Sequence, residues 1–268
     1  MEDHKQGKEG QKKPIFYQPP NEASTIDHVI AIMSGKGGVG KSLVTALSAL
    51  AVQRAGWNTA ILDADITGPS IPKSFGVKGP LTAKNGHARA IDSNSGIQIM
   101  STNLILPKET DPVLWKGAMV EKAVKQFWTD VVYENVDYLF IDMPPGTGDV
   151  PLAVFQTIPI DGVIIVTSPQ DLVSMIVEKA INMARMMSIP ILGLVENMSY
   201  FHAEDTGHDY QVFGDSHIEE ICAQHGVDLL AKLPIDPSIS RLVDGGRIEE
   251  ADTSKLADLV KKIEQVTR

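Results

Sequence analysis

The sequence predicts an α/β fold: an open, mostly parallel, twisted sheet of about seven strands with helices on both faces. Two observations carry this expectation. Short, almost continuously apolar runs (VIAIM, YLFI, GVIIVT, ILGLV) recur along the chain, as happens when both faces of a parallel strand are covered. Between them lie longer segments with helical periodicity, so strand and helix alternate as βαβ units.

Strands are expected at His28–Met33, Thr59–Asp63, Ile97–Ser101, Tyr138–Asp142, Gly162–Thr167, Pro190–Val195 and Leu229–Leu233. One helical stripe runs through Leu114, Ala118, Ala123, Phe127 and Val131. A second uses Val173, Ile176, Val177, Ala180, Ala184 and Met187, and a third Leu256, Leu259, Val260 and Ile263. Asp171 and Ser254 suit N-caps, and Gly56 suits the stop after the first helix. Residues 1–24, rich in Lys, Glu, Gln, Gly and Pro, read as a disordered tail. Nothing divides residues 25–268, which read as one domain.

Composition narrows the function classes. The 268 residues are 43% hydrophobic, enough for a large core. A formal net charge of −10 argues against a broad nucleic-acid surface, which needs a Lys/Arg face. The single cysteine, Cys222, forbids an intrachain disulfide. With no apolar run of membrane-spanning length and no secretory h-region, the expected compartment is the cytoplasm, with no membrane partner.

The chemistry starts where HVIAIM runs into SGKGGVGKS and then into a helical segment. Gly35, Lys36, Gly37, Gly38, Val39, Gly40, Lys41 and Ser42 satisfy G-x-x-x-x-G-K-[ST] in the strand–loop–helix setting that the pattern requires. Glycines let backbone N–H groups turn toward a β-phosphate, and the helix N-terminus adds its positive dipole. Lys41 can reach the β/γ oxygens of ATP, and the Ser42 hydroxyl can ligate Mg²⁺. In LDADITGPS, Asp63 and Asp65 project to the same side of a strand tip. Asp65 is expected to orient or activate the attacking water, with Asp63 supporting Mg²⁺ or the loop. Asp142, after YLFI, is expected to hold Mg²⁺ through water. Gly146 and Gly148 leave the next segment free to move when the γ-phosphate departs. Asp149 suits the cap of the following helix.

SGKGGVGKS resembles the deviant Walker A motif of the MinD/ParA class of P-loop ATPases. That resemblance implies that Lys36 crosses a homodimer interface to the partner's nucleotide. LDADITGPSIP, IDMPPGTGD, VTSPQ, ENMSYF and LPIDPSIS follow in order, and with the loop they resemble the Mrp/ApbC-type ATPases, iron–sulfur cluster carriers. The likeness covers residues 25–268. It implies that Asn197 contacts the adenine, that the loop around Pro234 lines the base pocket, and that the partners are protein clients or apo iron–sulfur proteins.

One departure stands out. Where cluster-carrying relatives place a C-x-x-C pair for a [4Fe–4S] cluster, this chain has His202–Ala203–Glu204–Asp205. Cys222 sits on the apolar stripe of a short helix and reads as a core thiol. His202, Glu204, Asp205, His208 and Asp209 either form a site for a hard or borderline metal or make a solvated turn. Two functions therefore compete: an ATP-hydrolysing protein of iron–sulfur assembly, and a cluster-free regulatory ATPase whose nucleotide state selects protein or DNA partners. A membrane-switch role for KLADLVKKIEQVTR is a third; the segment lacks interfacial aromatics, so packing on the sheet is expected instead.

Overall fold

The computed structural model describes residues 17–66, 68–84, 87–106, 117–170 and 173–267. The chain opens with β1 (Ile26–Ser34), α1 (Lys41–Arg54), β2 (Thr59–Asp63) and α2 (Ile71–Phe75). Short strands follow: β3 (Thr82–Lys84), β4 (His87–Arg89), β5 (Ile91–Asp92) and β6 (Gln98–Met100). The middle holds α3 (Ala118–Thr129), β7 (Val131–Val132), β8 (Val136–Asp142), α4 (Asp149–Thr157), β9 (Gly162–Thr167) and α5 (Val173–Met186). Then come β10 (Ile191–Glu196), β11 (Phe201–Ala203), β12 (His208–Tyr210) and α6 (Ile218–His225). The last elements are β13 (Leu229–Lys232), α7 (Pro237–Asp244) and α8 (Ala257–Glu264).

The main sheet has eight strands in the order β13-β10-β9-β1-β8-β2-β6-β5, all parallel except the edge strand β5. All seven expected strands are present, and β5 is the addition. Two residues of β5 make too short a run for any periodicity to reveal. Alternation along each strand feeds two cores. Val29, Ala31, Leu139, Ile141, Val163 and Ile165 pack under α3, α4 and α5. Ile30, Ile32, Phe140, Ile164 and Val166 pack under α1 and α8. Leu256, Leu259 and Ile263 are buried there, so the C-terminal segment covers the sheet. Among the described residues no helix is long and apolar enough to cross a membrane.

Several local expectations change. Val131 leaves the first stripe: α3 ends at Thr129, and Val131 pairs with Ala88 in a small sheet, β3-β4-β7. Leu114 and Asp171 lie outside the described residues. Ser254 is itself capped, its N–H and hydroxyl both donating to Asp252 at 2.9 and 2.7 Å. Gly148 occupies the N-cap of α4, and Asp149 stands in its first turn, where a carboxylate complements the helix dipole. Gly56 follows α1 at φ +105°, as a left-handed stop requires. Residues 17–24, placed in the tail by composition, bond to the domain. The Gln18 N–H donates to Thr157 O at 2.9 Å, the Trp128 indole donates to Gln18 O at 2.9 Å, and the Asn21 amide donates to Thr129 O at 3.1 Å.

The order of strands creates the functional edge. β1 lies between β8 and β9; the connection leaving β1 runs through α1 to β2 on one side, and the connection leaving β8 runs through α4 to β9 on the other, so a crevice opens beyond their C-terminal ends. Phe140 fills the centre of β8 with no exposed surface. Phe140→Ala is expected to destabilise the fold by about 3–5 kcal/mol in urea unfolding.

Candidate functional site

The loop after β1 turns on two glycines at φ +81°, Gly38 and Gly40, a conformation that strains any residue with a Cβ. A Cβ on Gly40 would also collide with the Asn197 amide, and one on Gly35 with Ile176 of α5. Gly40 immediately precedes α1, whose first turn carries no acidic residue and no side-chain cap. Those backbone N–H groups and the helix dipole together suit an anion.

The charged centre lies under this turn. Lys41 is only 5% exposed, and its ammonium stands 2.7 Å from Asp142 Oδ1 and 3.7 Å from Asp65 Oδ2. Asp142 is fully buried at the end of β8 and accepts from two further side chains. Ser42 Oγ donates to Oδ2 at 2.6 Å and Thr45 Oγ1 donates to Oδ1 at 2.8 Å. Parallel register sets Asp63 of β2 beside Asp142. Burial, then the Asp142 carboxylate, push Asp63 up to about 8, against the pull of Lys41 and the Ser101 hydroxyl. The Asp63 oxygens accept from the Asp65 N–H at 3.2 Å and from Ser101 Oγ at 3.0 Å, so Asp63 braces the Asp65 turn.

Two cavities meet at this centre. One of about 320 Å³ is lined by Gly37, Gly38, Gly40, Lys41, Ser42 and Asp65, among others. A larger one of about 670 Å³ is mostly apolar, with walls including Asn197, Met198, Phe213, Pro234 and Asp236. Leu43 lines both, so they adjoin across the first turn of α1. The pair has the size and polarity to take a phosphate chain at one end and a flat base at the other.

Thus Gly37, Gly38, Gly40, Lys41, Ser42 and Asp65 share one cavity, with Asp142 and Asp63 behind it, while Asn197 and Pro234 wall the other; Gly35, Lys36 and Val39 of the expected loop do not line the first cavity. Val39 is buried, and its carbonyl accepts from the Asn197 amide at 3.0 Å. Lys36 bonds within its own chain, to the side-chain oxygen of Gln170. Thr45 and Ser101 went unpredicted. Thr45 follows Lys41 by one helical turn, a spacing that can be read; the Ser101–Asp63 bond depends on sheet order, which cannot.

The polar loop forms a hairpin, β11 with β12, where His202 faces Asp209 and their side chains meet at 2.6 Å. Among the described residues no group of three or more His, Cys, Asp or Glu side chains is arranged to hold a metal ion. Cys222 is buried in the core. Burial raises its thiol to about 11, helped by Asp228, Glu196 and Glu219 and opposed by Lys232.

Fold and loop define a P-loop nucleotide-binding protein of the MinD/ParA-like class. Within that class the chain belongs to the family described as NUBPL iron-transfer P-loop NTPases, whose model matches residues 25–267. The iron–sulfur cluster carrier protein of Saccharolobus solfataricus is 42% identical over 249 residues, covering 89% of this chain and 84% of that one. The carrier of Methanocaldococcus jannaschii is 44% identical over 226 residues, 83% and 78% of the two chains. Among solved structures, a nucleotide-binding protein in complex with ADP from Archaeoglobus fulgidus aligns at TM-score 0.78 and 36% identity, over 91% of this chain and 93% of that one. The cell-division ATPase MinD of Pyrococcus furiosus shares the fold, at TM-score 0.64 and 21% identity, over 90% and 99%.

With its thiol near 11, Cys222 is about one part in a thousand thiolate at pH 8. Ellman's reagent should label native protein far more slowly at that pH than denatured protein, which should react at one thiol per chain.

Proposed function

We propose that this chain is an ATP-hydrolysing protein of iron–sulfur cluster assembly or transfer that works in the cytoplasm as a nucleotide-dependent homodimer. One observation carries the reading: a glycine-turned anion cradle adjoins a base-sized apolar cavity through Leu43, over a buried Lys41–Asp142 pair. ADP in the Archaeoglobus fulgidus relative supports the same ligand class here.

In this reading the β-phosphate lies on the N–H groups of residues 37–42, and Lys41 turns from Asp142 toward the β/γ oxygens. Ser42 and Asp142 are hard oxygen donors that already meet, a set that fits Mg²⁺. The ion supplies charge neutralisation across the phosphates when bound. Asp63 braces the turn that carries Asp65. Asp65 orients a water whose oxygen bonds to the γ-phosphorus as the bond to the bridging oxygen breaks; its proton passes toward the carboxylate. Lys36, once released from Gln170, reaches the nucleotide of the second subunit. Asn197 and the Pro234 loop contact the adenine. Asn197 does so while its amide holds Val39 O, which leaves its side-chain oxygen for the base.

A [4Fe–4S] cluster is cargo in this scheme. Two chains bring two cysteines, both in the core, so the cargo needs non-cysteine ligands or thiolates of a client. The same fact favours the second reading, a cluster-free regulatory ATPase that binds protein or DNA partners according to nucleotide state.

Lys41→Ala should lower ATP turnover by about a hundredfold or more, because it removes the charge facing the transferred phosphoryl group. Lys36→Ala should keep ADP binding by the monomer and lose ATP-dependent dimerisation in analytical ultracentrifugation. Retained dimerisation there removes the cross-subunit role. Anaerobic reconstitution with iron and sulfide separates the two readings: stoichiometric iron with a charge-transfer band supports the carrier, and intact ATPase activity with neither supports the regulator.

A further inference from the structure

The hairpin segment is closed by a single buried side chain. Glu196, the last residue of β10, is 1% exposed. Its Oε2 accepts from Ser199 Oγ at 2.5 Å, three residues ahead, and its Oε1 accepts from Ser216 Oγ at 2.8 Å, twenty residues ahead. These serines stand at the two ends of the segment that contains β11 and β12. Ser216 Oγ also accepts from the Ile218 N–H at 3.4 Å, which ties the start of α6 to the same point.

The neighbours of this clasp belong to the larger cavity. Asn197, the next residue, is fixed by its N–H to Thr167 O at 2.8 Å. Beyond the strands, a backbone ladder stitches the two cavity walls together. Leu233 N–H donates to Glu196 O at 2.8 Å, Ser199 N–H to Leu233 O at 2.8 Å, and Ile235 N–H to Tyr200 O at 2.7 Å. Another wall residue, Phe213, comes from inside the clasped segment and is still 41% exposed. A carboxylate buried on two hydroxyls is a costly way to fill space, since its charge is taken out of water. Closing a long loop at its base is the task that only a two-armed acceptor performs here.

We propose that Glu196 is a positioning residue for nucleotide binding: by clasping Ser199 and Ser216 it shuts the hairpin segment at its base and holds Phe213 as a wall against the nucleobase. This rests on the larger cavity being the nucleobase site. Nucleotide occupancy and hairpin order are then coupled, since a seated base packs on Phe213 and Phe213 is held through the clasp.

The test compares wild type with Ser216→Ala and Glu196→Gln by ADP calorimetry, ATP kinetics and hydrogen exchange of residues 199–216 with and without ADP–Mg²⁺. In wild type, ADP should slow exchange in that segment. Ser216→Ala removes one arm: ADP should bind about 5- to 10-fold more weakly, KM for ATP should rise with kcat little changed, and the ADP-induced protection should fade. Glu196→Gln keeps an acceptor for one serine, and the other hydroxyl can turn to accept from the amide, so most of the wild-type affinity should remain. Wild-type affinity and protection in Ser216→Ala would overturn the clasp, as would a fall in kcat at unchanged KM. If Ser216→Ala folds poorly, Phe213→Ala leaves the clasp whole and should lose ADP affinity to the same degree; unchanged affinity there also overturns it. Wild-type protein that bound no ADP would overturn the nucleobase assignment and this inference with it.

Discussion

Everything at the functional edge hangs on one buried charge pair, Lys41 with Asp142. Taking both ions out of water costs several kcal/mol per ion, and the arrangement is tolerable only because polar partners surround it. Asp142 accepts from Lys41, Ser42 and Thr45, so the first turn of α1 is pinned to the end of β8 by three side chains. That pin fixes the height of the glycine turn above the sheet. The N–H of Gly146 adds a backbone tie to Ser34 O at 2.9 Å, linking the segment after β8 to the base of the loop. In the proposed reading, a phosphate that draws Lys41 away from Asp142 would loosen both sides of the crevice at once, a physical route from nucleotide to conformation.

The sheet supplies the rest. Insertion of β8 between β1 and β2 brings Asp142 beside Asp63, and burial together with that like charge keeps Asp63 a reluctant acid. Asp63 then serves as a brace, holding the backbone from which Asp65 reaches toward Lys41. On the opposite flank, β9 and β10 carry Thr167 and Asn197 to the loop, and Asn197 closes on Val39 O. The anion cradle is thus gripped from the β8 side by charge and from the β10 side by an amide.

Much of this was legible in the sequence, and the reasons are specific. VIAIM, YLFI, GVIIVT and ILGLV announced buried strands because both faces of each are covered by helices. The glycine loop announced itself because φ +81° at Gly38 and Gly40 admits little else. What stayed hidden depends on chain separated in sequence. The small β3-β4-β7 sheet joins residues near 88 to residues near 131, and short strands give no period. Val131 looked helical because one apolar residue after a helical stripe fits either state. The Lys36–Gln170, Ser101–Asp63 and Glu196–Ser216 bonds follow from sheet order, and no local pattern encodes them.

The family places this chain among iron-transfer NTPases, while its own residues put the departure in one hairpin, where His202 and Asp209 pair across the strands in the region where the resemblance gives cluster-carrying relatives a C-x-x-C pair. The proposed nucleotide site bears no mark of that departure, so the function turns on where the nucleotide sits. Photo-crosslinking with 8-azido-ADP and mass-spectrometric mapping of the labelled peptides tests it most directly. Label is expected within residues 197–213 or 233–256, removed by excess ATP. Label confined to other peptides, or label that ATP does not displace, would contradict it.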